Sequence, residues 1–176
     1  MIRRLLLAGA LALGACAATP PPISNLPSYR DQDALIGVTS RFTASRFGGV
    51  WYVRAGFDPA LGQTAFRITR TSKGIVMRLG ASVCDAASVC SEVSEDLPIK
   101  RIGQGRFSVV MPSGERREFW VLWVDESFRT AVLGNPDGTF GWIIDRSRTG
   151  GADRINAARE ILDFNGYDVS RLRRVE

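Results

Sequence analysis

A chain of 176 residues is long enough for one domain with a core of its own, needing no metal to hold it together. Apolar residues make up 45% and charged residues 23%, with 18 glycines, which excludes a disordered or a collagen-like chain. The formal charge of +5 does not mark a nucleic-acid binder, because it is concentrated at one end: residues 1–46 hold five Arg against two Asp, whereas residues 47–146 hold twelve Lys and Arg against eleven Asp and Glu. No basic run of the kind that tracks a phosphate backbone occurs. Histidine is absent altogether, which removes the commonest general base and the commonest metal ligand together.

The first fifteen residues have the layout of a secretory signal: Arg3 and Arg4, an apolar stretch from Leu5 to Leu13, then small residues. The apolar run falls short of the roughly 20 residues that a membrane-spanning helix needs. Loss of this segment leaves about +3 on the mature chain. Leu13-Gly14-Ala15-Cys16 resembles the lipobox of bacterial lipoproteins. That resemblance implies cleavage before Cys16, attachment of diacylglycerol to its thiol and acylation of the new N-terminus. Ala17 rather than an aspartate follows, which by the same resemblance implies sorting to the outer membrane with the domain facing the periplasm. Several acyl chains together anchor stably where one is marginal. From residue 16 to about residue 40, Pro20, Pro21, Pro22 and Pro27 stiffen a polar stretch without hydrophobic periodicity, expected as a tether that holds the domain off the bilayer.

Residues 41–176 form the expected folded domain. Short β-branched and aromatic runs bounded by Gly, Pro, Asp or Asn predict strands over Val50 to Phe57, Thr64 to Arg70, Gly74 to Val83, Ser91 to Arg101, Arg106 to Met111, Arg117 to Val124, Arg129 to Leu133 and Thr139 to Asp145. Eight strands with short connections and no helix between them predict an all-β fold, an eight-stranded antiparallel up-and-down β-barrel. Alternation is visible at Phe66 and Ile68, at Ile75, Met77 and Leu79, and at Phe107, Val109 and Met111, whose faces are expected to point inward. In Phe119 to Val124 both faces are apolar, and the pattern does not choose between them. Ile155, Ala158, Ile161 and Leu162 then recur at helical spacing between Gly151 and Gly166, predicting one helix packed on the outside of the barrel. The tail from Tyr167 leaves room for a short strand.

With Cys16 assigned to lipid, Cys84 and Cys90 flank a hairpin-like loop. An oxidising compartment favours pairing them, which would stabilise the fold by roughly 2 kcal/mol in the chain-entropy model. They lack the close spacing of a redox pair and the partner residues of a metal site.

Three motifs in order resemble those of the lipocalin family, in particular its bacterial lipoprotein branch. Gly49-Val50-Trp51 matches the Gly-x-Trp at the first strand. Asp125 with Phe128 three residues later keeps part of the second motif, and Arg146 stands at the end of the eighth strand. Asn165 to Ser170 also resembles the segment that follows the family's helix. The resemblance covers about residues 41–176. It implies that Gly49, Trp51, Asp125 and Arg146 are structural, closing one end of the barrel with the arginine over the tryptophan ring, a contact worth about 0.5–2 kcal/mol. It also implies a cavity for one small ligand, open at the other end.

Alternation nominates Val53, Ala55, Phe57, Phe66, Ile68, Met77, Leu79, Phe107, Val109, Met111, Trp123 and Trp142 as lining residues, each of which could equally fill a solid core. Asp58 to Gln63 is expected as the loop at the mouth. Arg54, Arg67 and Arg78 are the candidates for a positive charge at the mouth that meets a carboxylate or phosphate head, but parity turns Arg67 and Arg78 to solvent. The leading expectation is a membrane-anchored lipoprotein that carries a small lipid, a fatty acid or lysophospholipid. The alternative is a periplasmic interaction protein, an inhibitor or envelope-assembly factor with a filled barrel. Lysozyme-inhibitor-type lipoproteins share the anchor, barrel and disulfide but not Gly-x-Trp, the terminal arginine and the helix together. Catalysis is not expected, since Ser127, Asp125 and Glu126 have no histidine to complete a Ser-His-Asp set, and no cofactor or metal is expected.

Overall fold

The computed structural model describes residues 26–57, 65–72, 74–84, 90–111 and 114–175, with the backbone alone described at 81–84 and 90–93. Eight strands follow one another around a closed antiparallel sheet: β1 (Gly49–Gly56), β2 (Ala65–Thr71), β3 (Gly74–Cys84), β4 (Cys90–Gly103), β5 (Arg106–Val110), β6 (Arg116–Val124), β7 (Thr130–Gly134) and β8 (Gly141–Asp145). Each pairs with the next, and β1 pairs with both β2 and β8, which closes the barrel and leaves it no free edge. The predicted strands agree with these to within a few residues. A two-residue strand, β9 (Arg173–Arg174), pairs with the upper end of β1, in the tail where the sequence left room for one.

Two clusters of buried side chains divide inside from outside. Trp51, Val53, Phe66, Met77, Leu97, Phe107, Val109, Phe119, Val121 and Ile144 fill the barrel. Ala55, Phe57, Leu122, Val132, Ile143 and Tyr167 lie on its outer face, against Ala158 and Leu162 of helix α2 (Ala152–Phe164). The helix therefore packs as its apolar spacing predicts. It ends in a Schellman motif, Tyr167 N–H donating to Leu162 O at 3.0 Å and Gly166 N–H to Asp163 O at 2.8 Å. Gly166 sits at φ +83°, and a Cβ there would come within 2.6 Å of Ala34, so glycine is required on two counts.

Two register shifts decide which side chains enter the lumen. In β1 the pairing with β8 slips between Val53 and Ala55, so Val53 stands opposite Ile144 and Ala55 opposite Ile143. A bulge at Arg54 thus reverses the parity. Ala55 and Phe57, expected to line the cavity, instead face outward into the second cluster. In β6 the slip lies between Val121 and Trp123. Phe119 and Val121 point inward, Leu122 and Trp123 both point outward, and Val124 returns to the interior. This settles the face that the sequence pattern left open, and it removes Trp123 from the lumen.

The stretch expected as a tether is, in its described part, bound to the barrel. Tyr29 N–H donates to Gly138 O at 2.7 Å, and its ring stacks on Phe57 at 5.2 Å. Buried Arg30 donates through Nε to Asn165 O (3.1 Å), through Nη1 to Pro136 O (2.8 Å) and through Nη2 to Ala34 O. Thr39 N–H reaches Val121 O at 3.0 Å. Residues 27–39 therefore run as a strap down the outer wall. Main-chain hydrogen bonds and one arginine hold it, neither of which leaves an apolar period in the sequence.

Tyr167 joins strap, helix and sheet. Its hydroxyl accepts from Asn135 N–H (2.9 Å) and lies 3.1 Å and 3.0 Å from the carbonyls of Asn135 and Phe140. Burial pushes its pKa up to about 12, with the Asn135 hydrogen bond and the charge of Arg30 acting in the opposite sense. The neutral phenol is the form the fold holds. Its contribution is complete below the unfolded value of about 10 and is lost as pH rises toward the folded value. Tyr167→Phe is expected to cost about 1–3 kcal/mol near neutral pH, since buried Asn135 N–H loses its acceptor. Urea unfolding followed over pH 9–12 checks this, and the variant should lose less stability than the parent across the upper half of that range.

Candidate functional site

The lower end of the barrel is sealed. Trp51 is fully buried, and its Nε1 donates to Phe47 O at 2.8 Å from the short helix α1 (Ala44–Phe47). The Arg146 guanidinium lies over the indole with its carbon 3.6 Å from the ring centroid. It also donates to Val50 O (2.7 Å) and Arg46 O (2.8 Å). Burial lowers the pKa of this arginine, with Asp145 partly offsetting the effect. Gly49 sits at φ +92°, where a Cβ would crowd Arg146 Nη1 at 3.3 Å. Asp125 caps the β6–β7 turn by accepting from the backbone N–H of Arg129 and Thr130, at 2.5 and 2.6 Å. Phe128, in the same turn at φ +57°, packs into the floor. These residues hold the barrel shut and face no cavity at its mouth.

At the upper end, among the described residues, side chains do not fill the lumen. A cavity of about 300 Å³ is lined there by Met77, Leu79, Leu97, Val109, Met111 and Phe119, by Leu133 and Trp142 of β7 and β8, and by Phe140 of the turn between them. That is the small end of the roughly 300–1,000 Å³ usual for ligand pockets. Leu26, Pro27 and Tyr29 of the strap also border it, so the segment that leads back toward Cys16 forms part of the rim. A second hollow, about 240 Å³, opens near the sealed end beside α1 and is bordered by Phe42, Phe47, Ile68, Ile75 and Phe107.

Of the twelve lining residues expected from the sequence, Met77, Leu79, Val109, Met111 and Trp142 border the mouth cavity. Val53 and Phe66 belong to the packed interior, and Ile68 and Phe107 border the lower hollow. Ala55, Phe57 and Trp123 lie outside the lumen. Arg67 is exposed, and exposed Arg78 pairs with Asp96 in a two-pronged contact of 2.5 and 2.7 Å. Arg54 donates outward to Ser147 O and Gly150 O. Cys16 and the loop from Asp58 to Gln63 lie outside the described residues. The β3–β4 register sets Cys84 directly opposite Cys90, and their side chains lie outside the described residues.

Alternation missed one polar member of the site. Arg117 stands opposite Val109 across β5 and β6, two and four residues before inward Phe119 and Val121, and it borders the cavity. Its Nη2 meets Glu115 at 2.9 Å, and the arginine holds that carboxyl below its usual pKa. Its Nε is buried and meets no acceptor among the described residues, and the same is true of Trp142 Nε1. The signal was present in the sequence as a period of two running through Arg117, Phe119 and Val121.

Residues 104–176 match the lipocalin-like domain family. No curated protein matches the chain by sequence. Among solved structures, insecticyanin from the tobacco hornworm Manduca sexta is similar with a TM-score of 0.60 and 15% identity, over 85% of this chain and 87% of that one. H1 crustacyanin from the lobster Homarus americanus gives 0.58 and 15%, over 85% and 91%. Lobster apocrustacyanin A1 gives 0.58 and 14%, over 76% and 78%. At these identities the likeness shows the fold, which is that of a lipocalin.

Proposed function

With the lipocalin fold as premise, and a lipocalin-like sequence over residues 104–176, we propose that this protein binds one small single-chain lipid, a fatty acid or lysophospholipid, in the upper half of its barrel. The observation that carries this reading is the apolar cavity of about 300 Å³ at the end opposite Trp51. A barrel of eight strands is just wide enough to hold one small ligand, and here Trp51, Phe66 and Phe107 belong to the packed interior below the mouth cavity. The available length is therefore the upper half alone. An unfilled, apolar mouth favours carriage over the alternative of a filled interaction module, and binding over catalysis.

The protein is further proposed to be a lipoprotein of the outer membrane, joined to lipid at Cys16, with Cys84 and Cys90 paired. The lipobox-like Leu13-Gly14-Ala15-Cys16 supports the first and the directly opposed strand positions support the second. Native mass spectrometry of the protein from cells is expected to show one bound species that organic extraction releases as a single-chain lipid. Denaturing mass spectrometry of the same sample is expected to show loss of residues 1–15, a diacylglycerol adduct and no free thiol at 84 or 90. A ligand-free barrel that also ignores added acyl chains would refute carriage, and an unmodified Cys16 would refute the anchor.

A further inference from the structure

Two buried N–H donors on residues that border the apolar cavity have no acceptor among the described residues. Arg117 Nε and Trp142 Nε1 are both buried, and both residues border the cavity at the barrel mouth. Buried donors in folded proteins are nearly always satisfied, and one left without a partner loses its hydration with nothing in return. Neither can turn away readily. The Trp142 ring is held between Phe66 (5.9 Å) and Phe140 (5.5 Å). The Arg117 guanidinium is oriented by Glu115, whose Oε2 accepts from Nη2 at 2.9 Å.

The surroundings of Arg117 favour a charged acceptor over a neutral one. Its ion pair with Glu115 is 37% exposed on both side chains, so water screens that carboxylate. The Nε end lies in apolar surroundings, where charge-assisted hydrogen bonds are stronger and an arginine fork suits a planar oxyanion. Glu118 also borders the cavity, but its Oε2 accepts from Trp120 Nε1 at 3.0 Å. Below the two donors the lining is apolar, through Met77, Leu97, Val109 and Phe119.

We propose that Arg117 and Trp142 form a head-group site at the mouth, so that the ligand is a single-chain amphiphile with a carboxylate or phosphate end. The two N–H groups donate to the oxygens of that end, and the chain runs down among Leu97, Val109 and Phe119. This assignment rests on the proposal that the cavity holds a small lipid, and it adds which end of the lipid enters last. Arg117 was not among the cations nominated from the sequence.

The test uses the full-length protein, freed of bound lipid, with dodecanoate and dodecan-1-ol as paired probes of equal chain length at pH 8. Dodecanoate is expected to bind about tenfold more tightly or better. Arg117→Met should remove most of that preference while leaving dodecanol within about twofold. Trp142→Phe, which keeps the ring and deletes one donor, should lower dodecanoate affinity several-fold and spare dodecanol. Equal affinity for the two probes in the parent, or an undiminished preference in both variants, would overturn the head-group site and leave lipid binding standing. If neither probe binds, the cavity reading and the head-group site fall together. Acetate and inorganic phosphate at matched concentration separate the amphiphile from a free anion. Failure of either to displace dodecanoate supports the amphiphile, and displacement would overturn it.

Discussion

Replacing Asp145 with alanine is expected to lower the unfolding free energy by about 4 kcal/mol. Asp145 is 1% exposed at the end of β8. It accepts from Thr130 Oγ1 at 2.5 Å, from the backbone of Ser147 at 2.7 Å and from Arg154 Nη2 at 3.1 Å. Arg154, itself mostly buried, also donates to Thr130 Oγ1 at 2.8 Å. The group ties the first turn of α2 to two strands of the barrel. Removing the carboxylate alone leaves a cation among groups that cannot solvate it. Removing both charges is different, because the desolvation of the pair disappears with the pair, so Asp145→Leu with Arg154→Leu should be more stable than either single variant. Chemical denaturation of the three variants measures this. Losses below about 1 kcal/mol for the single variants would mean that the pair is effectively solvated.

Trp51→Ala is expected to cost about 4 kcal/mol, within the range for truncating a large core aromatic. The indole fills the sealed end against Phe47 at 5.1 Å and supports the guanidinium of Arg146 at 3.6 Å. Alanine removes both contacts and the Nε1 hydrogen bond together. Trp51→Phe, which retains a ring beneath Arg146, should lose less than half as much. Thermal or urea unfolding followed by far-UV circular dichroism discriminates the two, and equal losses would show that Arg146 gains nothing from the ring. Because the floor is remote from the cavity, the folded fraction of Trp51→Phe should bind lipid like the parent.

The barrel could be read from the sequence because its strands are short, alternate at period two and are separated by Gly, Pro, Asp and Asn. Each of those features acts locally. Floor residues were legible for a different reason, since Gly49, Trp51, Asp125 and Arg146 form an ordered set that resembles a known family. The lining was legible only where alternation runs unbroken, as in Met77 and Leu79 or Val109 and Met111. At Arg54 and near Leu122 a bulge inserts one residue into the pairing, and a shift of one residue exchanges the two faces of everything beyond it. Ala55, Phe57 and Trp123 therefore lie on the face opposite to the one that unbroken alternation predicts. The strap escaped notice because its anchors are backbone groups and Arg30, and a polar, proline-containing stretch reads the same whether docked or free. Arg117 was passed over because a charge at an inward position contradicts the expectation of an apolar lumen. Such contradictions of a local rule tend to mark functional positions.

Filling the upper lumen shows whether lipid enters it. Val109→Trp puts an indole into a cavity of about 300 Å³ from a strand position on its wall. Titration of the parent with dodecanoate, read by intrinsic fluorescence and by calorimetry, should saturate at one ligand per chain. The filled variant, folded by circular dichroism, should bind at least about tenfold more weakly. Unchanged affinity and stoichiometry in the filled variant would contradict the account, because the lipid would then be held somewhere other than the barrel.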